Sequence, residues 1–372
     1  MKKFLPILVI LLLSACKSNV SINTYSILDF GAASGEECTE AIQQALDRCS
    51  EEGGGMVVIP EGSYLASTLY LRDKVNLHLE KGALLQGVED PNAYAPYIPE
   101  HDLSRYDSGN GTANSNCVND RQWMKAFIIG AGVKDASITG EGTIDGRHVF
   151  DERGEENMRG PHTIIVAEAP DFHMAGITIT RAANYAFLGY ALENPVFEGL
   201  TITEGWDGIH IRGAKNPIIR GCNFQTGDDS IAGGYWENML IEDCDINSSC
   251  NGIRMIMPSE GVEVRNSVFH GPGVYPHRTS GEARRTNMLF GIILEPGAWG
   301  PASGVAKNIR LHDLQMDGMS AAVSTSVREG SVAEDLTLEN ITATHVQSAT
   351  PIVSWNDQGF RQVTVNNCVF SR

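Results

Sequence analysis

Hydrophobic and polar positions repeat along most of this chain at a nearly constant interval. Apolar triplets begin at Leu200, Cys222 and Cys244, so two successive steps have the same length. Within each repeat, Val, Ile, Leu and Phe alternate with polar residues, while Asn and Gly mark the corners, as in short strands joined by turns. A fixed period of this kind is typical of a solenoid of stacked coils. The pattern therefore predicts one all-β domain over residues 25–372, folded as a parallel β-helix.

One segment ahead of the coils has the spacing of an amphipathic helix. Its apolar residues recur at helical intervals and are Ala41, Ile42, Ala45, Leu46 and Cys49. Thr39 is the expected N-cap, and the glycines at 53–55 end the pattern. We expect a helix over residues 39–52 that caps the N-terminal end of the solenoid and covers its unpaired strand edges.

Two stretches interrupt the coils. Residues 89–125 are rich in Pro, Tyr, Asp and Asn and have no clear period. Such a stretch predicts a long excursion that lines a binding cleft rather than packing a core. Residues 277–285 lie within a repeat of double length and carry several basic side chains, which we expect to form a solvated rim.

The N-terminus has the pattern of an export signal. Two lysines precede an apolar run through Leu13, and small residues follow before Cys16, so residues 1–15 are predicted to be a signal peptide. The stretch from Leu13 to Cys16 resembles the lipobox of bacterial lipoproteins. That resemblance implies a lipid on Cys16, a linker over residues 16–24, and a protein exported and tethered to the bacterial cell envelope without crossing the membrane.

Charge and cysteine usage exclude some classes of function. The chain has 28 basic and 46 acidic residues, a net charge of −18, which argues against nucleic acid as a partner. The cysteines after Cys16 are odd in number and lack CxxC spacing, so neither a disulfide framework nor a zinc site is expected. Cys222, Cys244 and Cys368 share a phase with core residues and should lie inside. We expect a monomer that needs no metal or cofactor.

The candidate chemistry lies in the most regular coils. Asp207, Asp229 and Asn251 recur at equal steps along the chain, and Asp228 stands beside the second of them. Residues at one phase of a β-solenoid lie above one another, about 4.8 Å apart. Three crowded carboxylates repel unless protons or partners relieve them, and one pKa is then raised above the others. Such a carboxylate pair can divide its roles, with one group acting as an acid beside ionised bases.

Basic side chains are predicted to flank these aspartates. If the isoleucines of these strands point inward, alternation turns His210, Arg212 and Arg254 outward. His210 and Arg254 share a phase two coils apart, a distance of roughly 10 Å. Together with Asn251, these three residues are the predicted substrate-binding residues.

Several motifs in this chain resemble polygalacturonase-type glycoside hydrolases of family 28. The matching stretches are YSILDFG at 25–31, EGGGMVVIP at 52–60, VKDASITGEGTIDG at 133–146, WDGI at 206–209 and TGDD at 226–229. The resemblance implies a single-stranded right-handed parallel β-helix that cleaves a plant-type polysaccharide or oligosaccharide. It also implies that Asp228 is the general acid, that Asp207 and Asp229 activate water, and that the anomeric centre is inverted. One rung of spacing by itself lies nearer to the roughly 5–5.5 Å of retaining enzymes.

Two departures from the family pattern bear on the substrate. The family's Gly-His-Gly motif is replaced by Cys250-Asn251-Gly252, which removes a histidine from that place. Its Arg-Ile-Lys motif is only partly matched, by Arg254 one coil early. We therefore expect plain polygalacturonate to be a poor substrate, with a neutral sugar, or a uronate held by Arg254 alone, at the cleavage site. A β-helix lyase or epimerase that holds calcium in the acidic cluster and a non-catalytic glycan-binding solenoid are the alternatives.

Overall fold

The structure is a computed structural model that describes residues 23–107, 116–299, 304–355 and 359–372. Its strands pair in parallel and stack into three sheets that wind around one interior, which confirms the predicted β-helix. Three residues show the register: Ile209 pairs with Ile231, which pairs with Ile253 in the next coil. All three are buried in the same core.

The sheets are defined by which strands pair from coil to coil. The first sheet consists of Leu69–Tyr70, Ala126–Ala131, His162–Ala167, Phe187–Glu193, Ile209–Lys215, Ile231–Glu237, Asn251–Met255, Met288–Leu294, Met319–Thr325 and Val353–Ser354. The second consists of Thr24–Ser26, Gly55–Ile59, Val75–Leu79, Ser137–Gly140, His173–Ala175, Val196–Glu198, Ile218–Arg220, Leu240–Glu242, Glu260–Arg265, Val305–Asp317, Val332–Thr344 and Arg361–Asn366. The third consists of Gly62–Ala66, Ala83–Gly87, Thr143–Asp145, Thr178–Thr180, Thr201–Glu204, Asn223–Thr226, Asp245–Ser248, Val268–His270 and Val369–Phe370, and the two 13-residue strands of the second sheet continue into it.

Asparagines at one corner of the coils show why the chain turns where it does. Asn194, Asn216 and Asn238 all have positive φ, a conformation that Asn tolerates better than most residues. Their side-chain amides form a ladder, in which Asn216 donates to Asn194 at 2.9 Å and Asn238 donates to Asn216 at 3.2 Å. The corner is therefore stabilised by side chains as well as by the sheets.

The predicted capping helix is present and spans Thr39–Glu51. Its buried residues belong to the main core, so it covers the end of the coil stack. Thr39 was expected as the N-cap, but the cap position is Cys38, and the Glu37 carboxylate accepts a hydrogen bond from the Thr39 N–H at 3.0 Å instead. Short 3₁₀ helices span Ile27–Phe30, Pro91–Ala93, Ser104–Tyr106, Glu155–Asn157 and Arg278–Ala283.

Among the described residues, long segments leave the coils between strands at 88–107 and 116–125, at 146–161 and at 271–287. The first was expected to line a cleft rather than pack a core, which is wrong in part. Its Tyr97, Leu103 and Trp123 form a second hydrophobic cluster against the outer face of the first sheet. The reason is that outward residues such as Leu188 and Tyr190 make this face apolar, and the segment covers it.

The cysteines of the coils lie where the repeat pattern places them. Cys222 and Cys244 are free and buried in the core, and Cys368 packs against it, as predicted. Among the described residues, no helix has the length and apolar character needed to span a membrane. The predicted signal peptide over residues 1–15, Cys16 and nearly all of the 16–24 linker lie outside the described residues.

Candidate active site

The aspartates lie at the corner where each coil passes from the third sheet to the first. Backbone hydrogen bonds hold consecutive coils in step there, since the Gly208 N–H donates to the Asp229 carbonyl and the Ser230 N–H donates to the Asn251 carbonyl. As a result, carboxylate oxygens of Asp207, Asp228 and Asp229 lie within 4.8 Å of one another. The structure thus brings together the three carboxylates that the sequence placed in register.

These carboxylates open into a cavity of about 220 Å³. One wall is the corner of the coils, and the others come from the excursions and from the segment after Met288–Leu294. The cavity is lined by Asn116, Glu155, Glu156, Arg159, Tyr185, Asp207, Asp228, Asp229, Cys250, Arg254, Ile256, His277 and Trp299. The lining is therefore strongly polar, with five carboxyl groups and two arginines.

Burial and mutual repulsion raise two of the three carboxyl pKa values. Asp207 and Asp229 are almost fully buried. For Asp207, burial and then the charges of Asp228 and Asp229 place the pKa well above its ordinary value. For Asp229, burial and the charge of Asp228 raise the pKa to about 6, although Arg254 and a hydrogen bond from Asn251 oppose the rise.

Asp228 behaves in the opposite way. Burial raises its pKa, but a hydrogen bond and charge from His277, together with the charges of Arg159 and Arg254, outweigh burial and hold the pKa below its ordinary value. His277 Nε2 lies 3.4 Å from Asp228 Oδ2, and Arg159 Nη2 lies 3.8 Å from the same oxygen. The cluster therefore combines a carboxyl group that ionises at low pH with two neighbours that lose their protons only at higher pH.

The sequence pattern did not identify His277 and Arg159 as residues of the site. Residues 277–285 were expected to form a solvated rim, and for His277 this is wrong, because its side chain is buried beside Asp228. A histidine thus reaches the aspartates from the 271–287 excursion, although Asn251 occupies the place where the family motif has one. Arg159 is buried against the Trp206 ring, with its guanidinium carbon 3.7 Å from the ring centre. The excursions carry no period that could have indicated either contact.

His210 and Arg212 leave the coil outward, as alternation predicts, but they are completely buried and lie behind the cavity lining. His210 stacks between the rings of Tyr185 and Trp299, and its Nδ1 lies 2.7 Å from Asp207 Oδ2. Burial and nearby arginines keep the pKa of His210 well below its ordinary value. Arg212 donates to the Asn116 carbonyl at 2.9 Å. The excursions cover both residues, so they support the site from behind instead of facing it.

Arg254 and Asn251 reach the aspartates from the following coil. Arg254 shares a register with His210 through Ala232, as predicted. Its Nε lies 2.5 Å from Glu295 Oε1, and its Nη1 lies 3.6 Å from Asp229 Oδ2. Asn251 Nδ2 donates to Asp229 Oδ1 at 2.7 Å. Both side chains therefore have carboxylate partners within the protein.

Comparisons with known proteins agree with this architecture. Residues 162–282 match the family described as "Right handed beta helix region". The chain is 26% identical over 222 residues to a probable polygalacturonase of Vitis vinifera, over 56% of this chain and 43% of that protein. It is 24% identical over 234 residues to an exo-poly-alpha-D-galacturonosidase of Dickeya chrysanthemi, over 52% of this chain and 38% of that protein. Each match thus spans less than half of the curated relative.

A solved structure extends the comparison along the chain. The family 28 exopolygalacturonase of Yersinia enterocolitica superposes with a TM-score of 0.68 at 18% identity, covering 94% of this chain and 71% of that one. The chain is a right-handed parallel β-helix, as expected. In sequence it is similar to the two polygalacturonase-type relatives over about half of its length, which confirms the resemblance indicated by its motifs.

Proposed function

We propose that this protein is a glycoside hydrolase that cleaves a pectic or related plant-type polysaccharide or oligosaccharide. The observation that carries the proposal is the cluster of Asp207, Asp228 and Asp229, whose oxygens lie within 4.8 Å of one another while their pKa values are driven apart. Hydrolysis of a glycosidic bond needs one carboxylic acid to protonate the leaving oxygen and one carboxylate to activate water. The similarity to polygalacturonases supports the same substrate class.

Two divisions of labour fit the cluster. The family resemblance implies that Asp228 is the acid and that Asp207 and Asp229 activate water, with inversion. In the free site, however, the charges around Asp228 favour its ionised form, while Asp207 and Asp229 favour the protonated form. An acid role for Asp228 therefore requires that it gain a proton before or during substrate binding. The reverse division keeps Asp228 as the base.

Single Asp→Asn variants at the three positions test the proposal on defined pectic oligosaccharides, with product analysis by NMR. Each should lower kcat by roughly 10²–10⁴-fold. The acid is identified with an activated aryl glycoside, because a good leaving group needs no protonation and only the acid variant should regain activity. Asp245→Asn, at an exposed carboxyl of the third sheet, is the matched control. Full activity in Asp228→Asn would refute the proposal.

Lyase or epimerase action and non-catalytic glycan binding are separate outcomes of this test. Because the aspartate oxygens lie close enough to share a cation, a calcium-dependent lyase is the second candidate. It would release an unsaturated product, detected by ultraviolet absorbance, and would lose activity in chelator. A binding solenoid would retain affinity for the glycan without any product. Hydrolysis that is unaffected by chelator, with a saturated product, distinguishes the leading proposal from both.

We also propose that the protein is exported and lipid-anchored through Cys16, and that it acts as a monomer on its polysaccharide. The support is the lipobox-like stretch ending at Cys16. Labelled fatty acid should be incorporated into the full-length chain in bacteria and lost in Cys16→Ser. Incorporation that persists in the variant would reject the anchor without affecting the proposed activity.

A further inference from the structure

One wall of the cavity presents buried oxygens that lack hydrogen-bond donors. Among the described residues, neither Glu155 Oε2 nor Asn116 Oδ1 has a hydrogen-bond partner, and both side chains line the cavity. The Glu155 side chain is 6% exposed, and its Oε2 lies 3.4 Å from Arg159 Nε without hydrogen-bond geometry. Buried acceptors are normally satisfied, so such oxygens facing a cavity point to a ligand that donates hydrogen bonds.

The cations that line the cavity are already engaged. Arg159 donates to Glu156 at 2.9 Å and also faces Asp228. Arg254 pairs with Glu295 and Asp229, as described above. In the described lining, two arginines therefore face five carboxyl groups, contributed by Glu155, Glu156, Asp207, Asp228 and Asp229. Because both arginines of the described lining are paired and His277 lies against Asp228, a sugar carboxylate would find no unpaired basic side chain among these residues, which is costly in a buried position.

We propose that the sugar unit held in this cavity is neutral, and that its hydroxyl groups donate hydrogen bonds to Glu155 and Asn116. This inference rests on the proposed function and narrows its substrate class to a sugar without a carboxylate at the cleavage site. It concerns that unit alone. Arginines of the 271–287 excursion, Arg278, Arg284 and Arg285, lie outside the cavity lining and leave acidic sugars possible at neighbouring positions.

The chemistry of the cavity lining explains how a neutral sugar would be selected over an acidic one. The aspartates and the two paired arginines form the reacting side, where Asp228 is partly exposed to the cavity. Glu155 lies beside Arg159 and, together with Asn116, adds oxygen acceptors to the lining. These acceptors match O–H groups, and Glu155 in its ionised form repels a carboxylate. Glu155 is thus a specificity residue, separate from the proposed acid and base.

The test uses pairs of oligosaccharides that differ only at C6, carboxylate against hydroxymethyl. Carboxyl-reduced oligogalacturonate against the native form is one pair, and the corresponding glucuronate and glucose oligomers form another. Hydrolysis is measured with the wild type, and binding is measured by calorimetry with Asp228→Asn. We expect a preference of about tenfold or more for the hydroxymethyl member of at least one pair. Equal or better use of the carboxylate member in every pair would overturn the inference.

Glu155→Gln keeps the shape of the side chain and removes its charge. We expect the variant to lose at least about half of the preference for the neutral member on a logarithmic scale, because repulsion of the carboxylate is relieved. Glu152→Gln, at an exposed position of the same excursion, is the control and should leave the preference unchanged. An unchanged preference in Glu155→Gln would remove this residue from the proposal.

The binding measurement separates this inference from the proposed function. If neutral members bind but none is cleaved by the wild type, the specificity of the cavity stands and the hydrolase proposal fails. If acidic members are cleaved in preference, the hydrolase proposal stands and this inference fails. If no member of any pair binds, the inference is rejected.

Discussion

His277 and Asp228 are in contact in the candidate active site, with His277 Nε2 3.4 Å from Asp228 Oδ2. They come from different parts of the fold, because Asp228 belongs to the corner of a coil and His277 to the 271–287 excursion. The hydrogen bond and charge of His277 are the main influences that keep the pKa of Asp228 low against the effect of burial. A segment outside the coils therefore sets the protonation of a proposed catalytic carboxyl.

Replacing His277 should raise the pKa of Asp228. In His277→Ala, burial is no longer opposed by this partner, so the limb of the kcat/KM profile that Asp228 governs should move to higher pH. If Asp228 must be ionised, activity at acidic pH should fall by about tenfold or more. Carbon-13 NMR titration of the Asp carboxyls gives the pKa directly. His270→Ala, at an exposed histidine paired with Asp245, is the control, and a profile unchanged in His277→Ala would contradict the assignment.

Asp229 should lower the stability of the fold as pH rises. Its pKa is raised from 3.8 to about 6, so the folded state favours the protonated form. The related stability is fully present below about pH 4 and is lost as pH rises through about 6, with a difference on the order of 3 kcal/mol. Asp229→Asn should therefore be more stable than the wild type at pH 8 but not at pH 4, as measured by denaturant unfolding. An equal effect at both pH values would disprove this reading.

Arg254 should act through its carboxylate partners rather than by holding a sugar carboxylate. The Arg254 charge lowers the pKa of Asp229, so Arg254→Ala should raise that pKa further and move the corresponding limb of the pH profile upward. The loss in kcat/KM should be similar for the neutral and acidic members of a C6 pair. A much larger loss for the acidic member would restore the sequence-based expectation that Arg254 grips a uronate. Arg220→Ala, at a half-exposed ion pair with Glu198, is the control.

The capping helix should contribute to the stability of the whole solenoid. Leu46 is completely buried between the helix and the end of the coil stack. Leu46→Ala should lower the free energy of unfolding by about 2–5 kcal/mol, because it removes buried methyl groups and leaves a cavity. Gln44→Ala, on the exposed face of the same helix, should change it little. A small effect of Leu46→Ala would mean that the helix docks only weakly.

The coils could be predicted because their physics is local and repeated. Equal steps along the chain fix which residues stack, and the close approach of Asp207 to Asp229 followed from that alone. Alternation also predicted that His210 and Arg212 point outward from the coils. It did not predict whether solvent reaches them. Their burial depends on Trp123, Trp299 and other residues of segments without any period. The same absence of period concealed Glu155, Arg159 and His277.

The separation between coils and excursions has an evolutionary consequence. Backbone hydrogen bonds of the sheets and corners fix the positions of Asp207, Asp228 and Asn251. Asn116, Glu155 and His277 instead belong to the excursions, each of which connects two consecutive strands. Insertions and deletions in those segments can change the walls of the cavity without moving the carboxylates. Descendants of such a chain can therefore acquire specificity for new sugars through changes in excursion length, while the proposed catalytic aspartates stay constant.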